Sequence, residues 1–408
     1  MTPPSVGMFE IPRTLGRHTI RRTGETVSFP NVYSADNPVP LRRAIVGSVT
    51  DDRLHRYATN VTADVRDPAV VDAFARVPRE HFVHAVVDED GRPVPVTLEQ
   101  VYSDEALVTR VHDGRPSSSS SQPSLMAQML AELRLRPGHR VLEVGTGTGY
   151  NAALIATITG APVVTVDVQP DVIAEATAAL ARVGVSTVTA LLADGYLGAP
   201  GYGPFDRIVA TVGVGGVPPS WLEQLAPDGL ILAPIEHGGI QPCVSATVSP
   251  DGLAGRGALR SGFMLAAGAL HPRATPPATI TMPEPSVTVP VPPVATRHYY
   301  ELWFALAAWD ARVERRYAEG LVEGVWPGPA TACTVVDPAD GSVVVALDAL
   351  YPVGATPELV DHVRSLVGRW HAAGGPAVSD WRCDFTFGDG LWLPTGWRTE
   401  APGRAPTP

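Results

Sequence analysis

Val141-Leu142-Glu143-Val144-Gly145-Thr146-Gly147-Thr148-Gly149-Tyr150 is the passage on which the fold turns. A short apolar run enters three glycines spaced two apart, and a second apolar run follows over residues 150–159. That order reads as a buried strand, a tight turn and a helix. Glycine lets the backbone come close to a ligand, and the unpaired N–H groups of a helix start suit its polar atoms.

The pattern repeats on both sides of this passage. Strands are expected at 140–144, 163–168, 187–192, 205–211 and 229–234, with helices at 150–159, 171–183 and 221–225. Strands this apolar on both faces belong inside a doubly wound, mostly parallel α/β sheet covered by helices. Upstream, Asp67-Pro68 reads as a cap and first-turn proline. Leu125, Met129, Leu130 and Leu133 share one face of a helix over 123–135, which Pro137-Gly138 ends.

A dinucleotide fingerprint requires G-x-G-x-x-G, but the third glycine falls one place early here and Tyr150 stands where glycine is needed. With Glu143 two residues ahead of Gly145, the layout suits S-adenosylmethionine. Asp167 ends the second strand, where a carboxylate accepts ribose hydroxyls, and Asp194-Gly195 follows the third, within reach of an adenine amino group. Three acids at the carboxyl ends of consecutive strands lie where open α/β sheets bind ligands. The expected cofactor set is Glu143, Gly145, Thr146, Gly147, Thr148, Gly149, Asp167, Val168, Asp194 and Gly195.

Ala73-Phe74-Ala75-Arg76-Val77-Pro78-Arg79-Glu80-His81-Phe82-Val83 resembles the amino-terminal signature of protein-L-isoaspartate O-methyltransferases. Tyr102-Ser103-Asp104 and the step Ser121-Gln122-Pro123 match that family's substrate-side segment. Residues 206–211 and 217–225 complete the order of motifs, so the likeness runs over about 41–270. It implies a Rossmann-like class I methyltransferase domain. It also implies methyl transfer from S-adenosylmethionine, leaving S-adenosylhomocysteine, to an aspartyl-type carboxylate of a peptide or protein carrying Asp or isoAsp.

The departures shape the expected function. A serine tract, Ser117 to Ser121, replaces the family's Gly-Gln-Thr-Ile-Ser segment, and a further domain follows the catalytic one. Long members of this kind resemble the methyltransferases of lanthipeptide, graspetide and lasso-peptide systems, in which an aspartyl ester collapses to aspartimide and then isoaspartate. Maturation of such a peptide is the first expectation and repair of isoaspartate in damaged proteins the second. A non-catalytic peptide-binding scaffold is the third. A carboxylate of pKa about 4 is already ionised at neutral pH, so catalysis is mostly in-line alignment and exclusion of water. Ser121 and Ser120 are the residues expected to hold the attacking carboxylate, although serine runs are also flexible linkers. Asp104 either orients the substrate segment or caps a helix.

Composition bounds the rest. All 31 cations are arginine, against 42 acidic residues, and the net charge of −11 disfavours nucleic acid as a partner. Without lysine there is no Schiff-base or P-loop chemistry. No apolar run is long enough for a membrane span, so a cytoplasmic protein is expected. Cys243, Cys333 and Cys383 fit neither a disulfide framework nor a zinc site. His81 and His84 lack a third metal ligand, and His237 reads as a solvated loop residue or else one approaching the cleft. Residues 1–40 form a leader, 271–295 a proline-rich linker and 401–408 a tail. Residues 296–400 form a separate α+β accessory domain, expected to recognise a peptide through its tryptophans unless these simply fill its core, with a helix over 298–317 and strands at 331–337, 342–348 and 381–387.

Overall fold

The structure, a computed structural model, describes residues 47–250, 252–272, 277–282, 287–318 and 331–399. The expected leader and tail lie outside them. Helices α1 (Gly47–Val61) and α2 (Pro68–Arg76) come first. Asp67 caps α2 by accepting the Ala69 N–H at 2.9 Å, and Pro68 takes a first-turn position whose N–H would have no partner. A small hairpin, β1 (Ala85–Val87) and β2 (Pro93–Pro95), and a one-turn helix, α3 (Leu98–Val101), lead to a second hairpin. This pairs β3 (Leu107–His112) with β4 (Arg115–Ser120), ahead of α4 (Pro123–Glu132). The serine tract is therefore strand and not linker. Its backbone is satisfied by β3, with Leu107 opposite Ser120, and Ser118 and Ser120 are buried.

The expected α/β alternation follows. Strands β5 (Val141–Val144), β6 (Val163–Asp167) and β7 (Val188–Leu192) are linked by α5 (Tyr150–Thr159) and α6 (Pro170–Arg182). Strands β8 (Phe205–Ala210) and β9 (Leu225–Pro234) are linked by α7 (Pro219–Gln224). These five strands are parallel in the order β9-β8-β5-β6-β7. The chain winds outward from β5 to β7 and then reverses to β8. That reversal opens a crevice at the carboxyl ends of β5 and β8, the place where such sheets take ligands. All four residues of β5 are buried, and α5 is apolar nearly all round because it is covered by the amino-terminal helices. Asp171 sits in the first turn of α6, while Gln169 takes the cap position.

Antiparallel strands β10 (Cys243–Ser249) and β11 (Gly252–Leu259) extend the sheet beyond β9. Then come β12 (Val289–Pro290), α8 (Tyr299–Trp309), β13 (Val313–Tyr317), β14 (Thr331–Asp337), β15 (Gly341–Val345), β16 (Ala349–Val353) and α9 (Pro357–Ala372). Their strands form a second, antiparallel sheet in the order β12-β16-β15-β14-β13. Part of the expected proline-rich linker thus serves as an edge strand, where a missing N–H costs nothing. The helix read over 298–317 ends at Trp309. Asp310 adopts extended backbone and binds Arg312, and the chain turns into β13.

The last two strands, β17 (Trp381–Gly388) and β18 (Leu391–Thr399), do not stay with the second sheet. β17 pairs with β11, Ala254 facing Asp384, so the first sheet has nine strands in the order β18-β17-β11-β10-β9-β8-β5-β6-β7. Trp381 sits on this sheet while packing into the core of the other, with ring centroids 5.6 Å from Phe304 and 5.5 Å from Trp309. Residues 296–400 are therefore not a self-contained domain, and everything described from Ser48 onward belongs to one compact unit.

Candidate active site

A cleft of about 610 Å³ opens at the switch point between β5 and β8. Its floor is the turn after β5. Gly145 has φ +103° and Gly147 φ +50°, conformations that side chains disfavour. A Cβ on Gly145 would stand 2.8 Å from Thr211 Oγ1, and one on Gly147 would meet the Ser119 carbonyl at 3.0 Å. Gly149 starts α5 and packs against Ala176. It lies between Thr148 and Tyr150, which line the cleft, and is not itself among the lining residues.

Glu143 is fully buried beneath the turn. Asn151 Nδ2 and Thr165 Oγ1 each donate to its carboxylate at 2.7 Å. Burial nevertheless outweighs those bonds and pushes the carboxyl up to about 7. Thr146, also buried, bonds Thr165 at 2.9 Å. Asp167 ends β6 and accepts N–H groups from Gln169 at 3.1 Å and Gly147 at 3.4 Å. Burial raises its pKa against the pull of those amides. Asp194 is exposed after β7 and accepts the Tyr196 N–H at 2.9 Å. Gly195 is confined: a Cβ there would lie 2.5 Å from Val144. Glu143, Gly145, Thr146, Gly147, Thr148, Asp167, Val168, Asp194 and Gly195 all line the one cleft.

The opposite wall is the β3–β4 hairpin. Arg110 ties it to α6 through Asp171 at 3.2 Å and Glu175 at 2.6 Å, and Gln169 Nε2 donates to the Ser117 carbonyl at 2.8 Å. Ser120 and Ser121 both line the cleft. The Ser120 hydroxyl is buried and accepts from Arg79 Nε at 3.2 Å and Nη2 at 3.1 Å, so it is committed to the wall. Asp104 does not line the cleft. Its carboxylate accepts the Ser124 N–H at 2.8 Å and the Ser124 hydroxyl at 2.7 Å, anchoring the start of α4.

Two groups of residues were not singled out from the sequence. Arg79 is completely buried and donates to the carbonyls of Val101, Ser103, Glu105, Ser120 and Ser121. The only trace of this was its place in the Val77-Pro78-Arg79-Glu80 signature. Met264, Leu265, Ala266, Ala267 and Leu270 close the cleft from a loop without periodicity. His237 lies outside the cleft, buried against Phe304 and Trp397, where burial lowers its pKa to about 4. His84 instead meets Arg182 at 2.9 Å, and no metal-binding group of three occurs among the described residues. The three cysteines are free and buried.

The family described as Protein-L-isoaspartate(D-aspartate) O-methyltransferase matches residues 57–255. A protein-L-isoaspartate O-methyltransferase of Bradyrhizobium sp. is 35% identical over 169 residues, 41% of this chain and 71% of that protein. The chain belongs to the protein-L-isoaspartate O-methyltransferase family. The Thermotoga maritima enzyme of that name is 39% identical over 165 residues, 40% of this chain, and the match spans only about half (49%) of its length. A solved structure of a protein-L-isoaspartate O-methyltransferase superposes with TM-score 0.51 at 25% identity, over 83% of this chain and 98% of that one. Coverage of this extent reaches well past residue 270. Part of the chain beyond residue 270 therefore has a counterpart in that structure. Among the described residues, no helix is long and apolar enough to cross a membrane.

Proposed function

We propose that this chain is an S-adenosylmethionine-dependent carboxyl O-methyltransferase that esterifies isoaspartyl residues of polypeptides. The observation that carries the reading is the convergence of a close-approach glycine turn with Glu143, Asp167 and Asp194 on one cleft, faced by a strand of serines. At Gly145 and Gly195 a Cβ would collide with Thr211 and Val144, so glycine is what lets the backbone itself form the floor of the cleft. Bound there, the donor supplies a methyl carbon activated by a sulfonium.

The chain's own residues do the rest. Glu143 and the amides of the turn hold the amino-acid end, Asp167 the ribose hydroxyls, and Asp194 with Gly195 the base. Ser121 donates to the acceptor carboxylate and fixes one oxygen for in-line attack. No base is required, because the acceptor is ionised. The hairpin and Met264, Leu265 and Leu270 exclude water from the reacting atoms.

Isoaspartyl repair is favoured over maturation of a dedicated aspartyl peptide because family relatives carry the isoaspartyl name and the added strands have a family counterpart. A peptide pair differing only in Asp or isoAsp at one position separates the readings by radiolabelled methyl incorporation. Repair predicts strong preference for the isoaspartyl peptide. Methylation of the aspartyl twin alone would overturn it. Absence of heat on titration with S-adenosylhomocysteine would reinstate the scaffold.

A further inference from the structure

A second hollow, of about 180 Å³, shares a wall with the cleft. The wall is one chain segment thick: Leu270 faces the cleft and His271 the hollow, and the Gly215 N–H donates to the Leu270 carbonyl at 2.8 Å. His271 is 5% exposed, yet neither ring nitrogen has a hydrogen-bond partner, and Nε2 stands 3.7 Å from Glu236 Oε2, beyond hydrogen-bond reach. The imidazole meets Glu236 only at ion-pair distance and makes no hydrogen bond, which leaves its nitrogens open to a polar guest. Burial works against ionisation of Glu236, but His271, the Gly239 N–H at 2.7 Å and Gln241 hold its pKa below the usual value. Arg315 lies within electrostatic reach of Glu236 but does not line the hollow. Its lining includes the Glu236 carboxylate, while Leu391, Leu393 and Pro272 give it an apolar side.

We propose that this hollow is a subsite for a basic side chain of the polypeptide substrate, an ammonium on an aliphatic stem, a few residues from the methylated position. The stem packs on Leu391, Leu393 and Pro272. The ammonium donates to the Glu236 carboxylate and to a ring nitrogen of His271. The chain itself has no lysine to compete for the place, and its charge of −11 attracts cationic peptides. Extended residues advance by about 3.3–3.6 Å, so a neighbour of the modified residue passes over the thin wall.

This subsite rests on the carboxyl-methyltransferase reading, and two measurements keep the two apart. In the first, one lysine is walked from three residues before to three after the isoaspartate, with norleucine as the matched control. One register is expected to lower KM about tenfold relative to norleucine, and Glu236→Gln to bring that ratio close to one. A flat scan, or a preference that survives Glu236→Gln, overturns the subsite while leaving methylation standing. The second needs no turnover: Nα-acetyl-lysine methylamide is titrated while the His271 imidazole is followed by 15N NMR. A saturable shift with the lysine derivative, absent with its norleucine analogue, is expected even if no peptide is methylated. No shift overturns the subsite.

Discussion

The two halves of the nine-stranded sheet acquire their order from different distances along the chain. In the parallel half, β5 to β9, neighbouring strands are joined by a helix or by one return across the switch point, and the site lies at their carboxyl ends. In the antiparallel half, β17 reaches β11 only after the entire second sheet has been built between them. Local physics makes the first half a binding site. The second half is a clasp, with Trp381 buried in the core of the sheet it does not belong to. Substitutions in one half should therefore act on binding, and in the other on global stability.

The sharpest break is expected from Gly145→Ala. The residue has φ +103° and its Cβ would face Thr211 Oγ1 at 2.8 Å, so the turn that floors the cleft must shift. Affinity for S-adenosylhomocysteine should fall by at least about 100-fold, the equivalent of roughly 3 kcal/mol. Calorimetric titration measures this, and retained binding would show that the turn is not the floor of the site. Trp381→Ala probes the other half. Loss of a fully buried indole costs about 3–5 kcal/mol. Denaturant unfolding should shift to lower midpoint as one transition reported alike by far-UV dichroism and by ligand binding. Separate transitions for the two sheets would dissolve the clasp.

Within the parallel half, Glu143 couples binding to pH. Its carboxyl is raised from 4.5 to about 7, so the free folded chain retains a proton that the unfolded chain releases. Stability from this group is then greatest below about 4.5, falls as pH rises to about 7, and is level above. A cationic amino group of the ligand prefers the ionised carboxylate. Affinity should thus rise about tenfold from pH 6 to pH 8. Glu143→Gln should flatten both profiles, and an unchanged slope would remove Glu143 from contact with the ligand.

What the sequence disclosed follows the same division. The strand, glycine turn and acid ends of 141–195 were legible because strand-end position and glycine spacing are local properties. The return of Trp381 to the first sheet was not, since an amphipathic strand does not reveal which edge will receive it. Nor was the loop carrying Met264 and Leu270, whose apolar residues follow no period. The serine tract shows the limit most clearly. Its position before α4 marked it as part of the site, but the difference between Ser120 and Ser121 is made by Arg79, 41 residues upstream of Ser120.

That difference gives the smallest expected effects and the finest test. Ser120→Ala strips Arg79 of a hydroxyl that accepts from both Nε and Nη2, deep in the hairpin wall. A buried guanidinium left short of acceptors should cost about 1–3 kcal/mol, seen as a lower unfolding midpoint. Ser121 contributes only its carbonyl to Arg79, at 3.1 Å, and a backbone carbonyl survives replacement of the side chain. Ser121→Ala should therefore change stability by no more than about 0.5 kcal/mol and leave S-adenosylhomocysteine affinity intact. Its effect should be on kcat for the isoaspartyl peptide, because one anchor of the attacking carboxylate is gone. If Ser121→Ala turns over at full rate while Ser120→Ala does not, the acceptor is held by the wall and not by the hydroxyl at its end.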